Sequence, residues 1–394
     1  MPKYRGLVIS DIHVGAMNLE KLHNEYLELF IKKISSMKKL DFLIIAGDFF
    51  DHKFYLNDKE ATVAYIMLKE LVLACKEKNT KIRIVYGTES HECNQYDILS
   101  LLKLYDNIEV IKYAKEEELF DNFYILYLPE EHLLDKDSYY SKYFCNDKKY
   151  NYIFGHGIIR EVMKEAVVHI ENKNAETKRK KVPIFNTAEL SRICKGQVFF
   201  GHYHMNQEIN DKIFSISSFS RWKFGEECRK GFYELICNTD KNEYTAEFIE
   251  NTMADSYKTI SFGYENKIFK DESEMQNSLN EMDALISRDV YNHVRFVFNI
   301  PNTIENPEAT MNYLKERYKF KDKIKLEIVH GYIEEKRKQQ KEQVKTDNEK
   351  YSFIFDKNLE LEDKISRFIS IEYNKDISIE NISNYIYKPL NEII

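Results

Sequence analysis

An α/β core, a small α+β unit and a tethered helical tail make up the architecture this sequence predicts, on three observations. Over about the first 250 residues, short apolar runs alternate with segments of helical period, the rhythm of a parallel or mixed sheet covered by helices. A second strand–helix–strand pattern opens near Tyr257. An almost wholly charged or amide stretch, residues 334–350, then precedes two last apolar stripes.

Gly6-Leu7-Val8-Ile9 and Phe42-Leu43-Ile44-Ile45 read as buried strands, with Leu27, Phe30, Ile31 and Ile34 at helical spacing between them. Ala64, Met67, Leu68, Leu71 and Val72 mark a second helix, followed by a strand at Ile82–Tyr86. Tyr152-Ile153-Phe154 and Val198-Phe199-Phe200 are further strands, and the text turns β-rich at 212–216, 231–236 and 244–248. Beyond it come a strand (259–262), a helix (272–286), a strand (293–299), a helix (307–318) with Pro307 at its start, and a strand (324–329). The charged stretch cannot bury a face, so it is a linker or a solvated helix. After it, Leu361, Ile365, Phe368 and Ile369 form one stripe, and Ile379, Ile382, Ile386 and Leu390 another. Two helices this short have no core of their own and must dock, on the parent domain or, the favoured reading, on a partner protein. The expected divisions are 1–255, 256–332, 333–356 and 357–394.

With 394 residues, 43% of them hydrophobic, the chain has ample core for two or three such units. No apolar run approaches the roughly 18–20 residues that cross a bilayer. The first strand starts almost at Met1, and six scattered cysteines show no Cys-x-x-Cys pair. The expectation is a reduced, cytoplasmic protein with no membrane segment. A net charge of −7 excludes a surface coated in positive potential, so any nucleic-acid contact needs local basic patches or bound metals.

Five motifs carry chemistry: Asp11-Ile12-His13, Gly47-Asp48, Ser90-His91, Gly155-His156 and Gly201-His202-Tyr203-His204. Four of them follow apolar strand-like runs. A lone histidine is usually an ordinary residue, but convergent carboxylates and imidazoles at strand ends suit divalent metals that activate water. In extended chain, Asp11 and His13 would point to one side of the strand end, as would His202 and His204. Asp48 is placed to bridge two ions. His91 fits the histidine that stabilises the transition state or protonates the leaving oxygen in a two-metal phosphoesterase, with Asp51 and His52 near enough to help.

These motifs resemble the calcineurin-like metallophosphoesterase superfamily, whose pattern is D-x-H, G-D, G-N-H-D/E, G-H and G-H-x-H. The resemblance implies a β-sandwich flanked by helices in four layers. Gly47-Asp48-Phe49-Phe50-Asp51 is similar to the second motif of SbcD-type DNA-repair nucleases. So is the serine-containing segment Ser217–Glu227, and so is the order of core, capping domain and helical tail. It further implies a Mn²⁺-dependent exo- and endonuclease acting in DNA recombination and repair. One ion would be held by Asp11, His13, Asp48 and His204, the other by Asp48, His156 and His202 with Ser90 nearby. The tail would bind an SbcC-like coiled-coil ABC ATPase through Leu361, Ile365, Phe368, Ile369, Ile382 and Ile386, and a homodimer is expected by analogy. The third motif departs from the pattern. It reads Gly87-Thr88-Glu89-Ser90-His91-Glu92, with serine where the family has a ligating asparagine, so Ser90 coordinates weakly, Glu89 substitutes, or water fills the place.

An acidic nuclease needs cationic contacts. Lys178-Arg179-Lys180-Lys181 could grip phosphates or be a solvated helix end, and Arg221 with Trp222 could clamp a backbone and stack on a base, or Trp222 could pack in the core. Two other functions share the motifs: a small-molecule or cyclic-nucleotide phosphodiesterase, and a non-catalytic scaffold for DNA ends.

Overall fold

Continuous apolar runs are what strands buried on both faces require, and the computed structural model shows where each face goes. It describes residues 3–55, 57–96, 106–145, 148–162, 181–262, 272–287, 291–300, 312–313, 316, 324–330, 359 and 361–373. The chain divides into two units, Met1–Thr259 with Asp289–Val294, and Ile260–Arg288 with Arg295–Ile394.

The first unit holds two six-stranded sheets. The strands of the first are β1 (Lys3–Ile9), β2 (Phe42–Ala46), β3 (Lys81–Val85) and β4 (Ile108–Ile111), all parallel, with β13 (Gly231–Asn238) antiparallel beside β1 and β14 (Glu243–Glu250) antiparallel beside β13. The second contains β5 (Lys115–Phe120), β6 (Phe123–Leu128), β7 (Tyr150–His156), β10 (Cys194–Gly201), β11 (Gln207–Glu208) and β12 (Ile213–Ser215). There β6, β7, β10 and β12 run parallel. A short pair, β8 (Ile158–Ile159) and β9 (Ile184–Phe185), stands apart from both.

Period-two alternation sorts the side chains into layers. Val8, Phe42, Ile44 and Val85 from the first sheet meet Ile125, Tyr152, Phe154 and Phe199 from the second in one shared core. The alternate residues of the first sheet, Leu7, Ile9, Leu43 and Ile45, face helices instead. One of these coverings starts as α1 (Leu19–Glu25), passes through a π-helical turn at Tyr26–Ile31 and continues as α2 (Lys32–Ser36). Its buried residues Leu22, Tyr26, Phe30 and Ile34 keep a strict spacing of four, which the wider turn holds on one face. The other is α3 (Lys59–Lys76), burying Ala64, Met67, Leu68, Leu71, Val72 and Cys75. On the far side, Leu126, Ile153, Val198 and Phe200 pack with Tyr140, Phe144, Leu190 and Ile193. These helix residues come from Lys136–Phe144 and Thr187–Ile193, the latter opened by a capping box of Asn186 and Glu189. The result is the expected mixed α/β sandwich with helices on its outer faces.

A three-stranded sheet follows in the order Tyr257–Phe262, His293–Ile300, Ile324–His330, with a helix at Glu272–Ser287. A further helix spans Leu361–Tyr373, and Phe368 on it is exposed. The expected helix at 307–318 falls mostly outside the described residues, as do residues 333–356 and Ile379, Ile382, Ile386 and Leu390. No described helix is long and apolar enough to cross a membrane.

Candidate metal centre

Parallel strands deliver their carboxyl ends to one edge, and loops leaving that edge aim side chains at a common point. Asp11 and His13 follow β1, Asp48 follows β2, Thr88 and His91 follow β3, His156 ends β7, and His202 and His204 follow β10. The backbone there is not extended. Asp11, His13, Asp48, His202 and His204 all have positive φ, at 51°, 49°, 49°, 105° and 53°. Such left-handed residues cost about 1–3 kcal/mol each and gather at functional sites. The first two loops are laced together by N–H donation from Asp11 to Gly47 O (3.1 Å), His13 to Asp48 O (3.1 Å) and Val14 to Phe49 O (2.9 Å). Gly47, at φ +88°, has no alternative: a Cβ there would lie 2.1 Å from His156 Nδ1.

The side chains form three overlapping donor groups: Asp11 with His13 and His204, His13 with Asp48 and His91, and Asp48 with His156 and His202. Asp48 Oδ2 is their hub, 3.0 Å from His91 Nδ1, 3.2 Å from His156 Nε2 and 3.7 Å from His13 Nε2. Its other oxygen accepts the Thr88 N–H at 2.6 Å.

Whether a cation fits is decided by the ring nitrogens. His156 Nδ1 must donate to the Ala46 carbonyl at 2.8 Å, which in a neutral ring leaves Nε2 as a bare lone pair. That Nε2 is wholly buried, has no hydrogen-bond partner and faces Asp48. His204 Nδ1 likewise donates to Glu226 Oε1 at 2.7 Å. Its Nε2 then points at His13 Nε2 across 3.0 Å, with Asp11 Oδ1 3.4 Å away. Lone pairs and carboxylate oxygens converging at these spacings repel one another unless positive charge lies between them. Imidazoles braced by a carboxylate or carbonyl on the far nitrogen are the usual metal ligands, so the donor set fits a divalent cation.

The electrostatics agree. Burial works against ionising Asp11 and Asp48, yet hydrogen bonds to His13 and His204 hold Asp11 well below the ordinary carboxylate range, and His156 with His91 does so for Asp48. Burial also disfavours a charged His13, but Asp11 and Asp51 lift it to about 9. Asp48 lifts His156 in the same way against its burial. The cluster calls for positive charge at its centre, which protons supply in the metal-free chain and a cation supplies in their place.

The profile of the calcineurin-like phosphoesterases matches residues 4–240. The chain belongs to that family. It is a metal-dependent phosphoesterase by its family and its aspartate–histidine clusters. Among curated proteins none matches the sequence. One solved structure aligns over 63% of this chain and 99% of its own, at 14% identity and a TM-score of 0.32, too distant to argue from.

In this phosphoesterase the remaining sequence-predicted residues separate. Asp51 stands behind His13, Oδ1 3.2 Å from Nδ1, and its other oxygen is 3.1 Å from His52 Nδ1. It stands at ion-pair distance from that ring, and His52 is exposed. Ser90 is exposed on the short helix Glu89–Glu92; the hydroxyl that meets Asp48 belongs to Thr88, at 3.2 Å from Oδ2. The two residues inserted after Gly87 carry Ser90 outward and bring Thr88 in. Trp222 lies across His13 and His204, ring centroids 4.9 and 5.1 Å away, so it roofs the site. Arg221 donates to the carbonyls of Glu226, Cys228 and Asp255 at 2.8–3.2 Å and is a backbone clamp. Lys181 pairs its backbone with Leu133 and lines a separate cavity with Arg160 and Lys136. Lys178, Arg179 and Lys180 lie outside the described residues.

Sequence reasoning missed Thr88, Glu130 and Glu226. For Glu130 a signal existed: Leu126-Tyr127-Leu128-Pro129-Glu130 is another apolar strand ending in a carboxylate, without the histidine that marked the others.

Proposed function

We propose that this phosphoesterase is a Mn²⁺-dependent DNA exo- and endonuclease that uses two metal ions, working as the nuclease subunit beside a coiled-coil ABC ATPase. The position of Asp48 carries the two-ion part, since its Oδ2 faces the Nε2 atoms of both His13 and His156. One ion position takes Asp11, His13, Asp48 and His204; the other takes Asp48, His156 and His202. Divalent ions held there would supply an activated water and offset charge on the phosphoryl oxygens. The rest falls to the chain. His91 engages Asp48 through Nδ1, and when its ring carries both protons Nε2 can hand one to the departing sugar oxygen. Glu226 fixes the ring of His204 by a hydrogen bond, and Asp51 lies at ion-pair distance from that of His13. Trp222 offers a face on which an unpaired base stacks. Mixed imidazole and carboxylate donors suit Mn²⁺. The DNA substrate is supported by the Gly47–Asp51 motif, the Ser217–Glu227 segment that places Trp222, and the tail.

A second reading, hydrolysis of a small nucleotide diester, has one observation in its favour. A cavity of about 610 Å³ is lined by Tyr86, Lys112, Tyr113, Tyr139 and others, and by Glu130, whose Oε2 lies 3.2 Å from His202 Nδ1. The deciding experiment is Mn²⁺-dependent cleavage of linear duplex DNA against bis-p-nitrophenyl phosphate and cyclic nucleotides. Degradation of DNA from its ends supports the nuclease; turnover of the small diesters with DNA left intact rejects it.

A further inference from the structure

Strand β6 runs parallel to β7 with Leu128 opposite Gly155, so the residues just past β6 come level with His156. Glu130 is one of them, and its side chain is buried. Its Oε2 lies 3.2 Å from the Thr88 hydroxyl, 3.2 Å from His202 Nδ1 and 3.9 Å from His156 Nε2, while Oε1 faces His132 Nε2 at 3.7 Å. The Thr88 hydroxyl is also 3.2 Å from Asp48 Oδ2. It has one proton to give, so it cannot satisfy both carboxylates.

We infer that Glu130 is an anionic ligand of the second metal position, joining Asp48, His156 and His202 where the family pattern has an amide. This rests on the two-ion reading above. The rival role, a carboxylate that merely braces an imidazole, has a recognisable geometry, that of Glu226 behind His204. Glu130 shares that geometry towards His202 Nδ1, at 3.2 Å, but not towards His156. His156 has spent Nδ1 on Ala46, so Nε2 is its ligand atom, and Glu130 faces that atom from the ligand side together with Asp48. Thr88 fills the space that a ligating side chain of the third motif would need and donates its proton to one of the two carboxylates. The outcome is a pair of matched positions, each with one carboxylate of its own (Asp11 or Glu130), two imidazoles and a share of Asp48. A carboxylate in place of a neutral amide adds a negative charge to the second position, strengthening its hold on a hard cation.

The test is Mn²⁺ binding by the full chain, read as free-ion loss and as the spin-coupled signal of a paired centre in electron paramagnetic resonance. The unaltered protein takes up two ions with coupling; E130A takes up one and loses it. E130Q, which keeps the shape and an amide oxygen, binds the second ion about tenfold or more weakly with the first unchanged. S90A retains both ions. Thermal melting establishes that each variant is folded. Two coupled ions of unaltered affinity in E130A and E130Q overturn the assignment, as does loss of the second ion in S90A alone. A Mn²⁺-soaked crystal gives the direct distance: Oε2 at about 2.1 Å from the ion is the expected value for such a ligand, and more than about 3 Å refutes it. Should the unaltered protein bind fewer than two ions, the two-ion reading itself fails, an outcome separate from any effect of Glu130.

Discussion

Asp48 concentrates more of the site's work than any other side chain, because one carboxylate oxygen serves His13, His91 and His156 together. Asp48→Asn keeps the shape but removes the charge that couples the donor groups. Hydrolysis should fall by at least about 10²–10³-fold, the cost of losing one well-placed electrostatic stabiliser, while circular dichroism stays that of a folded protein. Wild-type rates in D48N would remove Asp48 from the chemistry. Glu226 acts one step further out. It fixes the tautomer of His204 and also neighbours the fully buried Lys230 ammonium at 3.6 Å. Glu226→Gln should weaken divalent-metal binding at the His204 position about 10–100-fold, the usual effect of losing a carboxylate behind a histidine ligand. Calorimetric titration reads this without an activity assay, and unchanged affinity would show that His204 needs no brace.

At the scale of elements, the two sheets are joined by more than their apolar faces. Arg83 on β3 makes a two-pronged bond to Glu117 on β5, Nε to Oε2 at 2.8 Å and Nη2 to Oε1 at 2.6 Å. The Tyr127 hydroxyl donates to the same carboxylate at 3.0 Å. Burial raises the Glu117 pKa, but the Arg83 bonds outweigh it and leave the group below its ordinary 4.5. A depressed carboxylate adds stability that is fully present above its unfolded value and lost as pH falls through the folded one. Glu117→Gln should therefore cost about 2–3 kcal/mol at pH 7 and flatten the acid limb of a plot of melting temperature against pH. Equal pH slopes for the variant and the parent would disprove it. The strands themselves were legible because runs such as Leu43-Ile44-Ile45 are buried on both sides and read as unbroken apolar text. The ends of those runs gave away Asp11, Asp48, His156 and His202. Other parts were not legible. The apolar run before Glu130 offered a carboxylate at a strand end, but that it meets this site depends on the register of β6 on β7, a long-range pairing that no local spacing records. The extended-chain argument for Asp11 and His13 also gave way. They share a target because both residues take left-handed conformations held by their N–H donation to carbonyls of the neighbouring loop, not because they alternate along a strand.

For the whole molecule, the described donors of the phosphoesterase centre all lie in the first unit, and the second unit contributes none of them. The sandwich has its own three cores and supplies every donor of the site. With a net charge of −7, the chain gains little from bulk attraction to DNA, whose binding is driven largely by released counterions. A partner that holds DNA would remove that handicap, and the helix Leu361–Tyr373, with Phe368 exposed, is the proposed handle for one. Truncation before Lys357 should accordingly separate two properties. Hydrolysis of bis-p-nitrophenyl phosphate should stay within about twofold of the full chain, since no ligand is removed and a change of that size is under ~0.5 kcal/mol in barrier height. Co-purification with a coiled-coil ABC ATPase, and with it cleavage of duplex DNA that depends on ATP, should be lost. If the shortened chain still retains the ATPase, the helix is not the handle and the docking surface lies within residues 1–356. If it loses diester hydrolysis instead, the tail serves the fold rather than the assembly.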